Sequence, residues 1–410
     1  MKKLNLLVFV LVGYFANAQF DVSLLDNSNY TVSPTTVPCT LDNGTSTTCY
    51  EVTFAANPQP DDGPFCPTTT TDIGGMGIYD GATNPGLKVM QASLWTAMEA
   101  DGYDIVDGSG NVRVNDPGVM GGLNPSFSYC LEATKDDDLQ VTFLIPITSV
   151  DLASPNTIQA VELIGLSLDG IPINGDPPST TSGGGPGGGG GSSQAKMPAL
   201  DSCGGHHNPG GHYHWHFSAT DTNNVLQNKG ITEISCTTFP QNSTALFGFA
   251  IDGYPMYGSL DNGGATPTGL DACNGHFGAT ADYPSGVYHY HASSVDAPNL
   301  PPCLKGASVS SGNGSVSYFD STTLSVSSVE KIEIKIYPNP VNQGYINITG
   351  ASSKEIKLYD LLGRDILFKT VKSAFSHQKI DVSNLKTGVY ILKIIDEEQT
   401  LTKKISIKND

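Results

Sequence analysis

The chain has 410 residues, of which 46 are glycine and 26 are proline, and only 15% are charged. This length allows two or three domains, and the composition argues against a helical bundle and favours short strands with many turns. Residues 20–328 carry 30 acidic and 6 basic side chains, a net charge of −24, whereas residues 329–410 carry 10 acidic and 13 basic, a net of +3. The negative charge of residues 20–328 repels the phosphate backbone of nucleic acid, which argues against nucleic acid as a partner.

The N-terminus has the features of an export signal. A charged start, "MKK", precedes the apolar run "LNLLVFVLVGYF" and then "ANAQF", which contains an A-x-A cleavage pattern. We therefore predict a signal peptide over residues 1–18, cleaved between Ala18 and Gln19. The apolar run is too short for a permanent anchor and no other long apolar run occurs, so the sequence does not predict an integral membrane protein.

Eight cysteines lie between Cys39 and Cys303. An even number in an exported chain favours disulfides, and the lack of any C-x-x-C pair weakens the alternative of zinc–thiolate sites. The N-terminal region, residues 19–130, is predicted to be β-rich, because "VPCTLDNGTSTTCYEVTF" indicates two strands around an Asn-Gly turn. Cys39 and Cys49 would face each other across this hairpin, and Cys66 and Cys130 could form a second bridge. Further along, the simplest pairing is one bridge in each copy of the repeat described below, Cys203 with Cys236 and Cys273 with Cys303, although spacing alone proves no connectivity.

Three short blocks occur twice in the same order. "IGLSLDGIPINGD" is similar to "FGFAIDGYPMYGS", "ALDSCGGH" to "GLDACNGH", and "GHYHWH" to "GVYHYH". This internal repeat predicts one duplicated domain over residues 131–304. The poly-glycine run at 183–193 falls between the first and second blocks of copy one, so we interpret it as an expanded surface loop rather than a linker, since loop closure entropy grows only slowly with length.

Eight of the nine histidines lie between positions 206 and 291. Alternate side chains share one face of a strand, so each H-x-H pair projects two imidazoles to the same side. The histidine that ends the second block of each copy supplies a third imidazole. Two sets of candidate metal ligands follow, the first triad (His206, His214 and His216) and the second triad (His276, His289 and His291).

Neutral imidazoles suit zinc, copper, iron or nickel, and a three-histidine site leaves one coordination position open. We expect a divalent transition metal, zinc or copper, as the cofactor. Three alternatives stay open: structural strand histidines bonded to the acidic body, both triads around one centre, and a bridged pair of metals. Asp201, Asp271 and Asp252 could orient the ligand imidazoles, although turn chemistry explains the Asp-Gly-x-Pro blocks as well.

The last 81 residues, 330–410, change character and become rich in lysine and isoleucine. Alternation of apolar and polar residues predicts about seven short strands in a small β-sandwich without cysteine. Residues 305–329 would then be a linker. The predicted fold class is therefore mostly β: a Cys-bridged, duplicated β-rich domain followed by a seven-stranded β-sandwich.

Two resemblances to known families rest on these motifs. The region from about 130 to 304, with "FAIDGYPMYG" and the literal "YHYH" at 288–291, resembles the YHYH domain family of exported proteins. The resemblance implies the domain's identity and an extracellular setting more than an activity. Copy one departs from the motif, with Trp215 in place of the second tyrosine.

The segment from about 331 to 410 resembles the type A C-terminal sorting domain of the type IX secretion system of Bacteroidetes, through "YPNPV", "LYDLLGR" and "LKTGVYILKI". The resemblance implies that the secretion machinery is a partner. It also implies that the tail is removed after passage through the outer membrane, and that the body is secreted or attached to the outer cell surface.

Three functions are compatible with these features: an extracellular metal-binding protein, a metalloenzyme acting as a hydrolase or a copper oxidase, and a surface adhesion or glycan-binding protein. The sequence contains no H-E-x-x-H, G-x-S-x-G or C-x-x-C-H motif. It therefore leaves open whether the protein is an enzyme and what its substrate is.

Overall fold

The structure is a computed structural model. It describes residues 19–408 apart from 59–62, 64, 119–122, 159–162, 181–194, 310–315, 321–334, 343, 350–354, 361–363, 371–376 and 396–399. The predicted signal peptide and the poly-glycine loop therefore lie outside the described residues. The chain divides into two compact units, Met1–Leu324 and Ser325–Asp410. In the described part, no helix is both long enough and apolar enough to cross a membrane.

The first half of the first unit contains strands β1 (Tyr30–Thr40), β2 (Ser46–Ala55), β3 (Met76–Tyr79) and β4 (Gly86–Val89), helix α1 (Ala92–Ala100), and strands β5 (Val114–Asn115), β6 (Tyr129–Leu131), β7 (Leu139–Pro146) and β8 (Asp151–Thr157). The second half contains β9 (Leu163–Ser167), β10 (Pro172–Asn174), β11 (Lys196–Pro198), β12 (Gly205–His207), β13 (Tyr213–Trp215), helix α2 (Thr222–Asn228), β14 (Leu246–Ala250), β15 (Pro255–Tyr257), β16 (Gly275–Gly278), β17 (Val287–His291), β18 (Cys303–Gly306) and β19 (Val316–Asp320).

An eight-stranded sheet is built from the duplicated blocks, in the order β12-β13-β10-β9-β14-β15-β17-β16. Its left half is copy one and its right half is copy two in reverse order. The two copies meet where β9 pairs antiparallel with β14, and the register pairs Leu166 with Phe249, which are aligned residues of the repeat. The sheet therefore has a pseudo-two-fold axis at that pair, and the internal repeat is confirmed in the fold.

Each half-sheet turns at its Asp-Gly-x-Pro block. Gly170 and Gly253 have φ of 84° and 89°, a region that glycine enters without steric cost, and each closes a tight turn between paired strands. The strand after each turn pairs in parallel with the H-x-H strand of its own copy, Ile173 beside Trp215 and Met256 beside Tyr290. The turn interpretation of these blocks agrees with the structure.

The N-terminal hairpin β1–β2 joins β7 and β19 in a four-stranded sheet. Phe20, Phe54 and Phe143 of this part share one hydrophobic core with Leu166 and Phe249 of the duplicated sheet. A second cluster surrounds Trp95 on α1. Apolar periodicity predicts a helix over 87–102, but the helix begins only at residue 92, because residues 86–89 pair with β3 as a strand.

Four disulfides join the cysteines as the simplest pairing predicts: Cys39–Cys49, Cys66–Cys130, Cys203–Cys236 and Cys273–Cys303. No cysteine in the described residues is left free, so the zinc–thiolate alternative is not supported. The last two bridges lie one in each copy of the repeat.

The second unit contains β20 (Lys335–Tyr337), β21 (Tyr345–Thr349), β22 (Glu355–Tyr359), β23 (Asp365–Thr370), β24 (His377–Asp381), β25 (Gly388–Ile395) and β26 (Thr400–Ile407). These form a three-stranded sheet, β20-β21-β24, and a four-stranded sheet, β23-β22-β25-β26. Buried Ile346 and Ile380 of one sheet belong to the same core as Leu358 and Leu392 of the other. The seven strands of the predicted β-sandwich are thus present in the described residues.

Candidate metal centres

Each triad lies on the two outermost strands at one edge of the eight-stranded sheet. In copy one, β12 pairs with β13 so that His206 stands opposite His214; in copy two, β16 pairs with β17 so that His276 stands opposite His289. The third histidine of each triad, His216 or His291, follows two residues further on and projects to the same side. Local strand geometry therefore gathers three imidazoles in each copy.

The two triads have nearly the same geometry. Ring centroids in the first triad are 4.6, 4.8 and 5.2 Å apart, and in the second 4.8, 4.8 and 5.1 Å. The close Nε2 contacts join different pairs in the two copies. They are 3.1 Å between His214 and His216, and 3.3 Å between His276 and His291, whose counterparts in copy one are His206 and His216. In each group all candidate ligand atoms lie within 4.8 Å of one another, so each group could hold one metal ion.

Four of the six imidazoles are bonded through Nδ1 to backbone carbonyls, whereas Nδ1 of His214 is buried without a hydrogen-bond partner. Nδ1 of His216 donates to the Gly175 carbonyl at 2.5 Å, and Nδ1 of His291 donates to the aligned Gly258 carbonyl at 2.7 Å. In the second triad, Nδ1 of His276 also donates to a carbonyl, at 3.0 Å. A carbonyl can only accept, so Nδ1 carries the proton and the Nε2 lone pair points inward, the arrangement typical of metal-ligating histidine.

Burial favours the neutral, metal-binding form of five of the triad imidazoles. It lowers the pKa of His216 and of His289 to about 4, and it lowers the pKa of His291 as well. Burial, aided by the neighbouring histidines, also holds the pKa of His206 and His214 well below the usual range. Protonation of these five imidazoles therefore does not compete with metal for their lone pairs near neutral pH.

Asp261 is a candidate ligand that the sequence did not indicate. Its Oδ1 lies 3.1 Å from Nε2 of His276 and 3.2 Å from Nε2 of His291, and it completes a group of four with the second triad. Asp261 follows the aligned Gly258 by three residues, and the corresponding position in copy one is Pro178. The repeat therefore gave no signal for it.

Asp201 and Asp271 hold the second block of the repeat in place through hydrogen bonds. Asp271 accepts from the amides of Cys273 and Gly275 at 2.9 and 3.2 Å and from the Tyr288 hydroxyl at 2.8 Å. Asp201 makes the same three contacts in copy one, with the Tyr213 hydroxyl as the third.

These contacts require glycine at the positions that precede His206 and His276. A Cβ at Gly205 or Gly275 would lie 2.2 Å from the tyrosine hydroxyl that reaches the aspartate. These two aspartates thus fix the loop that presents His206 or His276 and the strand that carries the H-x-H pair.

Asp252 is fully buried beneath the second triad. It accepts from the Tyr290 hydroxyl at 2.6 Å and from the amides of Gly306 and Tyr254 at 2.9 and 3.1 Å. Tyr290 stands between His289 and His291 on the opposite face of β17, so Asp252 anchors the strand that carries both imidazoles.

The two triads are separate centres. They lie at opposite edges of the sheet, and five strand spacings, about 24 Å along the sheet, separate β13 from β17. Their ligand atoms also form two separate groups among the described residues, which argues against one shared centre and against a bridged metal pair. His207 and His212, which have no histidine counterparts in copy two, are buried beside the first triad but are not members of its ligand group.

Two family models match the chain. The YHYH protein family matches residues 142–264 and 260–306, and the secretion system C-terminal sorting domain matches residues 335–408. Fold and tail thus define a disulfide-bridged protein that is exported by the type IX route and is secreted or attached to the cell surface. The chain thus carries a YHYH region over residues 142–306, followed by a type IX sorting domain over residues 335–408.

Comparisons with curated proteins and with solved structures give no further information about the fold or function of this chain. No curated protein matches the chain. A solved structure described as "Biofilm associated protein - BSP domain" is 12% identical, with 94% of this chain and 67% of that chain covered, at a TM-score of 0.17. A score this low supports no statement about fold or function.

Proposed function

We propose that this protein binds transition metal outside the cell through its YHYH region, with one ion at each triad. His206, His214 and His216 would hold the first ion, and His276, His289 and His291, joined by Asp261, would hold the second. Zinc and copper are among the metals that imidazole suits, and carboxylate oxygen is also a common zinc ligand.

The observation that carries this proposal is the convergence of lone pairs in the second triad. His276 and His291 use Nδ1–H to donate to carbonyls, so their Nε2 atoms face each other and the Asp261 carboxylate as acceptors at 3.1 to 3.3 Å. Acceptors this close repel one another unless a proton or a metal ion lies between them, and burial disfavours the charged form of His291. A divalent cation satisfies all of them at once.

Symmetry supports the same conclusion. The triads share ring separations and carbonyl bonds from aligned glycines, although their surrounding loops differ. If the histidines were only structural residues of the strands, the two edges of the sheet would not need to share these ring separations and carbonyl bonds.

Elemental analysis of the purified full-length chain, which retains the tail with His377, after incubation with zinc or copper and removal of free metal, tests the proposal. We expect about two ions per chain in the wild type and about one in His289→Ala/His291→Ala. His377→Ala, in the second unit, is the matched control and should keep both. Equal metal content in wild type and double variant, or none in either, would refute the proposal.

A further inference from the structure

Although the triads are similar, their surroundings differ in one ligand. The second triad has a carboxylate oxygen beside two of its imidazoles, and the group that contains the first triad has no carboxylate among the described residues. The sequence explains the difference, because the segment from Pro177 to Pro198 contains no aspartate, glutamate, histidine or cysteine. The counterpart segment of copy two contains Asp261.

Asp176 is the nearest acidic residue before that segment. It directly follows Gly175, whose carbonyl accepts from His216, but its side chain is exposed and is not a member of the ligand group. Its aligned residue in copy two is Ser259, so the repeat does not assign it a ligand role either.

The absence of a carboxylate at the first triad changes the number of ligands that a bound metal ion would have there. Zinc and similar ions take four ligands, so three imidazoles and Asp261 complete the second set, whereas three imidazoles leave a position open in the first. Neutral imidazoles also leave both charges of the ion uncompensated at the first triad, and Asp261 cancels one at the second. Uncompensated charge in a buried place is costly, which favours an anionic ligand at the first triad.

Exposure does not distinguish the two triads. His206 on β12 and its counterpart His276 on β16, the two outermost strands, are each partly exposed, whereas the H-x-H imidazoles of both triads are buried. The difference between the two sets of ligands is therefore the carboxylate of Asp261.

On the basis of the proposed metal binding, we propose that the two centres are not equivalent. In the second centre Asp261 occupies the fourth coordination position, and the metal has a structural role. The first centre keeps an exchangeable coordination position that binds hydroxide or a small monodentate anion. Ligand exchange, and any chemistry on a bound ligand, belongs to the first triad.

Cobalt-loaded protein titrated with azide tests this, because the visible absorption of cobalt(II) reports its coordination number and ligands. We expect the wild type to bind about two cobalt ions and about one azide per chain, and Asp261→Asn, in which a weaker neutral ligand replaces the carboxylate, to bind about two azides. Asp296→Asn, an exposed site with the same change in charge, should behave as the wild type.

The outcomes separate this inference from the proposed function. Failure of the wild type to bind any cobalt, zinc or copper would refute metal binding itself. Two bound cobalt ions with the same number of azides in wild type and Asp261→Asn would leave metal binding intact and overturn the assignment of open and closed centres. The variant His289→Ala/His291→Ala provides an independent test, because its remaining centre, at the first triad, should still bind azide.

Discussion

Replacing Asp252 with asparagine should change how the stability of the first unit depends on pH. Burial raises the pKa of Asp252 from 3.8 to about 6 in the folded protein, despite three hydrogen bonds that favour the charged form. Between about pH 4 and pH 6 the folded state therefore binds a proton that the unfolded state has released. Stability from this group is complete below pH 4 and is lost as pH rises through 6.

The magnitude follows from the size of the shift. A pKa difference of about two units corresponds to about 3 kcal/mol of unfolding free energy. Asp252→Asn is close in shape but does not titrate, so the wild type should lose about 3 kcal/mol relative to the variant between pH 4 and pH 7. The variant will be less stable at low pH, because its amide cannot accept all three bonds.

Urea unfolding with disulfides intact, in buffer with a chelator, measures this difference. Both tryptophans, Trp95 and Trp215, lie in the first unit, so their fluorescence reports on that unit alone. Asp137→Asn, at an exposed position, controls for the change in net charge. Parallel stability curves for wild type and Asp252→Asn would show that Asp252 is ionised throughout and that the reasoning from burial is wrong.

Two further outcomes are expected. Thiol titration of the denatured, unreduced protein should find no free cysteine, and Cys203→Ser/Cys236→Ser should lower the unfolding free energy by about 3 to 4 kcal/mol, the chain-entropy value for a loop of this length; four or more free thiols would contradict the pairing. Mass spectrometry of the secreted protein should find a body running from Gln19 to about Ser328, and recovery of the intact 410-residue chain from the medium would contradict both cleavages.

The sequence predicted those features that depend on local geometry. Period-two alternation and the repeat were enough to select all six triad histidines, because two residues on one strand and one on its hairpin partner meet through short-range pairing. The disulfides within each copy followed from the same repeat. The order of the eight strands did not follow, since it depends on which edges of the two copies pair.

Asp261 shows why the rest of the site escaped prediction. Its approach to His276 and His291 depends on the path of residues 258–268, which fold back so that the Thr268 carbonyl also reaches His276. No periodicity encodes such a path, and copy one offers no counterpart. The helix predicted over 87–102 was too long for a related reason, because the pairing of β4 with β3 overrides local apolar periodicity.

The antiparallel pairing of β9 with β14 explains how two similar centres could become different. Each copy depends on the other for the middle of the sheet, because separation would leave the buried strands around Leu166 and Phe249 as unpaired edges. Among the described residues, however, the members of each ligand group and the glycine carbonyls that orient His216 and His291 come from the same copy as their triad. The shared core therefore constrains the strands and leaves the loop between the first and second blocks free to vary. In copy two that loop supplies a carboxylate, and in copy one it is a glycine-rich segment without one, so, on the metal binding proposed above, we expect a ligand from outside the chain at the first triad.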